Sequence, residues 1–279
     1  MPNLLLGCQM ITELVIATFQ KPRYLATVLQ SLLQQQCLPS EICIADDGSD
    51  RDTENVIRNF RYANPSLKIR HIWHENLGFR KTVILNEAVY SSQADYIIFI
   101  DDDCVMHPRF ISRHLKRAKE GHFATGSVIR LTKCFSDKIL DQREISWSKQ
   151  GLPVGWQPRS ISEKLKSMPF DYRVMGVLDS LSPVRCSWAG GNASTFRDHI
   201  LKVNGFDTEM AYGGEDKEFG ARLINLGVKG RHLRYTAPLY HLYHDRGYVN
   251  RSQLQKNRAI LKQTRSSKKT FTNNGIFTE

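Results

Sequence analysis

The sequence Tyr-Ile-Ile-Phe-Ile-Asp-Asp-Asp, residues 96–103, joins an apolar stretch typical of a buried β-strand to three consecutive carboxylates. A strand interior excludes charge, so the acids must lie at an exposed edge or bind a cation. Because alternate side chains of an extended chain point to opposite sides, we expect Asp101 and Asp103 to share a direction and Asp102 to face away. The stretch therefore predicts either a metal-binding edge or a solvated acidic turn before Pro108.

Strands and helices alternate four times in the first hundred residues. The strand-like runs are residues 13–18, 41–45, 69–73 and 95–100, and helical patterns separate them. This alternation predicts an α/β fold with a mostly parallel, doubly wound central sheet flanked by helices. Such sheets bind ligands at the carboxyl ends of their strands. Two of these ends carry acids, at residues 46–47 and 101–103, so a nucleotide site is expected there.

The order of these patterns divides the chain into five segments. We expect a leader at residues 1–11, a nucleotide-binding half at 12–131, a variable loop-rich segment at 132–184, a second half at 185–245 that binds the acceptor and carries catalysis, and a basic C-terminal tail at 246–279. The loop-rich segment has no clear periodicity and could form a mobile wall of the site.

Composition limits the function classes. The net charge of the 279 residues is +11, and the tail alone has eight Lys or Arg against one Glu. Without basic and aromatic residues spread over a folded face, a nucleic-acid partner is not expected. The tail could instead contact anionic lipid headgroups or remain solvated and disordered. No apolar run reaches the roughly 20 residues that a membrane span needs, and the six cysteines are irregularly spaced. We therefore expect a cytoplasmic protein with reduced thiols. It would be peripheral on the inner membrane face if the tail binds lipid.

Six short motifs, taken in order, are similar to those of a known family. They are Ala17-Thr18-Phe19, Ala45-Asp46-Asp47-Gly48-Ser49, Asn76-Leu77-Gly78-Phe79-Arg80-Lys81, Asp101-Asp102-Asp103, Asn204-Gly205-Phe206-Asp207 and Gly213-Gly214-Glu215-Asp216. Together they resemble a family 2 glycosyltransferase of the GT-A fold, a Rossmann-like fold of nucleotide-diphospho-sugar transferases. The second half resembles the acceptor region shared by β-1,4-galactosyltransferases and bacterial polysaccharide polymerases.

The resemblance implies inverting, metal-dependent transfer from a nucleoside diphosphate sugar, most simply a UDP-sugar, to a glycan or lipid-linked glycan in surface polysaccharide synthesis. It places the base on Phe19 and against Asp47. The donor-binding positions that it implies are Thr18, Phe19, Asp47, Arg80, Lys81, Asp101 and Asp102.

The resemblance also implies a divalent metal, Mn²⁺ or Mg²⁺, on Asp103 and His241, with His244 as the second choice. The third acid leaves the register of the Asp-x-Asp motif open by one residue. A metal at this position would neutralise the charge that develops on the leaving diphosphate.

For the acceptor side, the resemblance implies Asp216 as the catalytic base and Glu215 as the group that orients the acceptor, with Gly214 and Trp188 in the same site. A carboxylate is needed because a sugar hydroxyl must lose its proton as it attacks. The acids could also simply stabilise the start of a helix, and Trp188 could be a core residue.

Two other function classes stay open. A sugar nucleotidylyltransferase has a similar nucleotide half but needs a glycine-rich loop after its first strand, where residues 17–22 have no glycine. A non-catalytic sugar-nucleotide-binding module would not require Asp103, Asp216 and His241 together.

Overall fold

The computed structural model describes residues 10–143, 145–149, 151–167, 171–245 and 251–277. Most of the expected leader and residues 246–250 and 278–279 of the expected tail lie outside these ranges. The strands are β1 (Thr12–Thr18), β2 (Glu41–Asp46), β3 (Ile69–Trp73), β4 (Tyr96–Asp101), β5 (Cys104–Met106), β6 (His122–Gly126), β7 (Val128–Arg130), β8 (Asn192–Phe196), β9 (Lys229–Leu233) and β10 (Leu239–His241). The helices are α1 (Pro22–Leu33), α2 (Arg51–Ala63), α3 (Lys81–Tyr90), α4 (Phe110–Arg117), α5 (Lys133–Gln142), α6 (Ile161–Ser167), α7 (Tyr172–Ser180), α8 (Arg197–Lys202), α9 (Glu215–Asn225) and α10 (Arg251–Ser266).

Seven strands form the central sheet in the order β3-β2-β1-β4-β8-β6-β9. The pairs β1-β2, β1-β4, β2-β3 and β6-β9 are parallel. Strand β8 runs antiparallel to both β4 and β6. The predicted α/β architecture with a mostly parallel sheet is therefore confirmed, with one reversed strand at the junction of the two halves.

The central strands are buried on both faces, which explains their almost continuous apolar sequence. In β1, Leu14 and Ile16 pack into the core that includes α1 and α2. Val15 and Ala17 pack into the opposite core, which includes α3 and α9. Helices therefore cover both faces of the sheet, and in such sheets ligands bind at the carboxyl ends of the strands.

A second, three-stranded sheet has the order β5-β10-β7. Strand β10 is antiparallel to β5, with His241 opposite Cys104, and parallel to β7. This pairing joins the end of the second half to the residues directly after β4. It thereby places the histidines of the second half beside the triple aspartate.

The segment 132–184 is more regular than expected, because it contains α5, α6 and α7. These helices leave apolar side chains exposed, among them Val174 and Val177 at 46% and 56%. Without a continuous buried stripe, the segment lacks the periodicity that predicts a helix. In the second half, β8 continues to Phe196 and the short helix α8 begins directly after it.

The described part of the basic tail, residues 251–277, belongs to the fold rather than being solvated. Helix α10 packs on α9, and Asn257, Thr264 and Thr272 are buried. The anchors are polar side chains that bond to the backbone and to buried acids, so an apolar pattern does not reveal them. No helix among the described residues is long and apolar enough to cross a membrane.

Candidate active site

A cavity of about 300 Å³ opens at the carboxyl ends of β1, β2 and β4. Parallel register brings these ends together, with Thr18 opposite Asp46 and Ala17 opposite Asp101. Its lining residues are Ala17, Thr18, Phe19, Lys21, Ala45, Asp47, Gly78, Phe79, Lys81, Ile84, Asp101, Asp102, Asp103, Tyr212 and Glu215. The cavity thus collects residues from both halves of the chain.

The three aspartates have three different environments. Asp101 ends β4 and accepts a bond from Lys81 Nζ at 2.5 Å. Asp102 accepts from Thr18 Oγ1 at 2.8 Å, and Lys21 Nζ lies 2.8 Å from Asp103 and 3.6 Å from Asp102. The strict alternation that we expected fails after Asp101, because the strand ends there and the next two residues form a turn.

Asp103 forms a cluster with His241 and His244. Their possible ligand atoms all lie within 4.8 Å of one another. The Nε2 atoms of His241 and His244 lie 3.5 Å and 3.0 Å from the two carboxylate oxygens of Asp103. The backbone N–H of Leu242 donates to the carbonyl of Asp103 at 2.8 Å, which fixes the two segments side by side. Two imidazoles and one carboxylate are a suitable donor set for a divalent transition metal.

Charge complementarity holds this cluster together. Burial raises the pKa of Asp103, but the hydrogen bond from His244 and the charge of Lys21 outweigh it, so the carboxyl stays well below its usual pKa range. The same hydrogen bond, donated by His244 to Asp103, raises the pKa of His244. Asp103 is therefore ionised, as a metal ligand must be.

Asp216 lies at the start of α9, near Lys81. Burial raises the pKa of the Asp216 carboxyl to about 7, while the charge of Lys81 and the backbone N–H of Gly190 oppose the rise. A carboxylate with a pKa near neutrality can accept a proton at physiological pH. Asp216, the base that the resemblance implies, is adjacent in sequence to Glu215 and interacts with Lys81, and both of these residues line the cavity.

The pair Gly190-Gly191 provides the space for two of the acids. A Cβ on Gly190 would lie 2.3 Å from Oδ1 of Asp216, and one on Gly191 would lie 2.7 Å from Oδ2 of Asp101. Any larger side chain would push these carboxylates away. The absence of side chains at these two glycines, in the loop before β8, therefore leaves room for Asp101 of the first half and Asp216 of the second half.

The loop 211–214 leads into α9 and carries part of the cavity wall. Gly213 and Gly214 have φ of 105° and 106°, a left-handed backbone that only glycine adopts easily. The N–H of Gly213 donates to Oε2 of Glu215 at 2.7 Å. Tyr212 packs edge-on against Phe79, with ring centroids 5.8 Å apart.

Phe19 and Asp47 also line the cavity. The Phe19 side chain is 43% exposed, so a face of its ring is accessible. Asp47 accepts from His74 Nε2 at 2.8 Å and from the N–H of Arg80 at 3.0 Å. Arg80 is among the expected donor residues, and the structure shows its backbone, rather than its guanidinium, bonded to the site.

Trp188 does not lie in the cavity. Its side chain is 1% exposed and packs against Phe99, Phe123 and Phe219. A buried ring offers no face to a sugar, so the expectation of an acceptor platform gives way to the core alternative. Its sequence context could not distinguish the two, because both use a tryptophan beside small residues.

Lys21 and His74 are site residues to which the sequence analysis gave no role. Lys21 follows β1 closely and bonds to the triple aspartate, and His74 follows β3 directly and bonds to Asp47. Their positions just after a strand's carboxyl end were the available signal.

Residues 13–180 match the family described as glycosyl transferase family 2, and residues 185–245 match the N-terminal domain of galactosyltransferase. The chain therefore belongs to glycosyl transferase family 2, as its motifs predicted. The second match confirms the expected likeness of the C-terminal half to galactosyltransferases.

Curated relatives include polysaccharide synthases. A hyaluronan synthase of Pasteurella multocida is 27% identical over 77% of this chain and 23% of that protein. A chondroitin synthase of Escherichia coli is 25% identical over 82% of this chain and 34% of that protein. The chain thus spans a quarter to a third of the length of these two relatives.

Solved structures show the same fold. The mannosyltransferase PcManGT from Pyrobaculum calidifontis, in complex with GDP-Man and Mn²⁺, matches with a TM-score of 0.60 and 16% identity, over 86% of this chain and 59% of that one. TarS of S. aureus in complex with UDP-GlcNAc matches with a TM-score of 0.62 and 14% identity, over 93% of this chain and 69% of that one. The fold is therefore the predicted GT-A glycosyltransferase fold.

Proposed function

We propose that this chain transfers a sugar, with inversion, from a nucleoside diphosphate donor to a glycan or lipid-linked glycan, in a reaction that requires a divalent metal. The observation that carries the proposal is the juxtaposition of two sets of acids at one cavity. Asp103, which contacts two histidines, and Glu215, which is adjacent to Asp216, both line this cavity. A nucleotide-sugar-binding module would need the first set but not the second.

The charge of the cavity supports the metal. Five carboxylates and two lysines line it, so an anionic diphosphate would meet a net negative surface. A divalent cation bound by Asp103, His241 and His244 would reduce this repulsion and would stabilise the charge of the departing nucleotide. Because Mg²⁺ prefers oxygen ligands and two of these three ligands are imidazoles, we propose a transition metal rather than Mg²⁺, and Mn²⁺ is our choice because the PcManGT complex contains it.

The donor-binding roles follow from the cavity wall. Phe19 would stack on the base and Asp47 would accept a hydrogen bond from it. Thr18, Lys81, Asp101 and Asp102 would line the ribose and diphosphate region, and Arg80 would act through the backbone bond that fixes Asp47. A UDP-sugar is the proposed donor, in keeping with the UDP-GlcNAc complex of TarS, although PcManGT binds GDP-Man.

Asp216 would take the proton of the acceptor hydroxyl as that oxygen attacks the anomeric carbon from the face opposite the leaving group. Glu215 and Gly214 would form the acceptor wall beside it. The acceptor would belong to a surface polysaccharide, as the names of the two synthases suggest.

A donor screen tests this proposal. The purified chain is incubated with a panel of UDP- and GDP-sugars and short glycan acceptors, with Mn²⁺, with Mg²⁺ or with a chelator, and nucleotide release is measured. We expect release with a UDP-sugar and Mn²⁺ that the chelator abolishes, and NMR of the product should show the inverted anomer. Asp103→Asn should be inactive, whereas Asp141→Asn, an exposed acid paired with Arg23, should match wild type. Absence of both release and nucleotide binding with every donor would contradict the proposal.

We also propose peripheral contact with anionic membranes through the exposed bases of the C-terminal segment. Residues 251–277 carry seven Lys or Arg and no acid, and each of the seven is exposed. Each base near an anionic surface contributes about 1 kcal/mol of attraction. A variant with Arg258, Lys262 and Arg265 changed to Gln leaves the buried anchors intact and should lose binding to phosphatidylserine vesicles in a sedimentation assay. Unchanged sedimentation of that variant would rule this surface out.

A further inference from the structure

We propose that Asn257 of α10 is a positioning residue that holds the loop 211–214 in the conformation needed at the acceptor side of the site. The inference rests on the proposed function, since it concerns the loop that precedes Glu215 and Asp216. It assigns a role in the site to a C-terminal helix that the sequence pattern presents only as a basic tail.

The contacts of Asn257 are directed at this loop. Its side-chain Nδ2 donates to the carbonyls of Ala211, Tyr212 and Gly213 at 2.9, 3.3 and 3.0 Å. The side chain is fully buried, so water cannot replace these bonds. Its Oδ1 accepts from Gln253 Nε2 at 2.8 Å, which points the amide nitrogen at the loop.

The backbone conformation of the loop depends on contacts from outside it. Gly213 and Gly214 have no side chains that could restrict the backbone, and glycine can adopt many conformations besides the left-handed one seen here. Leu254 of α10 fills the space over Gly213, where an added Cβ would lie 2.2 Å from its Cδ2 atom. Asn257 and Leu254 together therefore select one conformation of the loop.

That conformation determines where two cavity residues lie. The N–H of Gly213 bonds to Glu215, and Tyr212 contacts Phe79, which also lines the cavity. Loss of the Asn257 bonds would let the loop and both side chains shift. Misplacement of a reacting group by about 1 Å can cost about 10²-fold in rate.

Helix α10 has a second attachment that does not involve the loop. Asn225 Nδ2 donates to the carbonyls of Thr264 and Lys269 at 3.0 and 2.8 Å. Thr264 in turn donates to Glu218 at 2.9 Å. Asn225 is therefore a matched control, because its side-chain amide also donates to backbone carbonyls, here one near the end of α10 and one just after that helix, and not to the loop 211–214.

The experiment compares Asn257→Ala and Asn225→Ala in the full chain by two measurements. Hydrogen exchange of residues 211–215, without any ligand, should accelerate in Asn257→Ala and stay at the wild-type rate in Asn225→Ala. With the donor found in the screen, Asn257→Ala should lower kcat or raise the acceptor KM by about 10- to 100-fold while nucleotide binding is retained.

Asn257→Asp, which turns a carboxylate oxygen toward three carbonyl oxygens, should be at least as defective. Leu254→Ala should show the same pattern to a smaller extent and serves if the Asn257 variants do not fold.

Equal effects of Asn257→Ala and Asn225→Ala on both measurements would overturn the inference, because they would indicate a general role in anchoring α10. Wild-type exchange in Asn257→Ala would overturn it as well. If the wild-type chain transfers no sugar, the proposed function fails, and the exchange data by themselves still decide whether Asn257 positions the loop.

Discussion

In this structure, Nε2 of His244 lies 3.0 Å from Oδ2 of Asp103, closer than Nε2 of His241, which is 3.5 Å from Oδ1. The two histidine rings are stacked, with centroids 5.3 Å apart. His244 was the second choice from the sequence, and its geometry now makes it an equal candidate. The histidines lie beside Asp103 and not beside Asp102. We therefore propose that the Asp-x-Asp motif consists of residues 101–103 and ends on Asp103.

His244→Ala and His241→Ala should each weaken Mn²⁺ binding by about 10-fold or more, because each removes one of three candidate ligands. Calorimetric titration with Mn²⁺ alone measures this directly. His122→Ala, far along β6 from the cavity, should bind the metal as wild type does. If His244→Ala binds Mn²⁺ normally, the metal site does not include His244.

Asp216→Asn should lower kcat by about 10²- to 10⁴-fold, since the amide cannot take the proton of the acceptor. Mn²⁺-dependent nucleotide binding should survive, because Asp103 and the histidines are untouched. The comparison variant is Asp198→Asn, an exposed surface acid paired with Lys202. Near-normal turnover of Asp216→Asn would mean that Asp216 only stabilises the start of α9.

The rate of transfer should fall as the pH drops through about 7. Burial raises the pKa of Asp216 to about 7, and the base acts only in its ionised form, so its active fraction is lost below that pH. The measurement is kcat against pH at saturating Mn²⁺ and donor, which removes any loss of metal at low pH. A profile that is flat between about pH 6 and 8 would contradict this assignment.

Gly190→Ala should reduce turnover by about 10²-fold with little change in folding. The new Cβ would meet Oδ1 of Asp216 at 2.3 Å, while the backbone of Gly190 is not in the left-handed region and accepts alanine. Gly191→Ala should instead weaken donor binding, because its Cβ meets Asp101. Kinetics and thermal unfolding of the two variants separate these effects, and wild-type kinetics in Gly190→Ala would refute the steric argument.

Trp188→Phe should lower the free energy of unfolding by about 0.5–3 kcal/mol and leave the acceptor KM unchanged. The ring is buried, and its Nε1 has no hydrogen-bond partner within the described residues, so phenylalanine loses volume but no bond. Urea unfolding measures the free energy of unfolding, and titration with the acceptor measures KM. A large rise in KM without loss of stability would indicate that Trp188 does bind the acceptor.

The sequence by itself determined the architecture of the first half and the chemistry of its edge. Apolar strands that end in acids, alternating with amphipathic helices, have few stable arrangements, so β1, β2 and β4 were predictable from local pattern. The short motifs added the family, and the resemblance to that family named Asp103, Asp216 and His241 as candidates. These are local signals, because each depends on residues within one or two elements.

Only the tertiary structure decided how these parts meet. The pairing of β10 with β5 brings His241 and His244 to Asp103, and no local pattern encodes a contact between such distant segments. The same holds for Trp188, whose ring packs against side chains from three different elements, and for Asn257, whose partners in the loop are backbone carbonyls. Hydropathy records the side chains of a segment but not the backbone groups to which they bond, so a basic, polar helix was indistinguishable from a solvated tail until its buried contacts were seen.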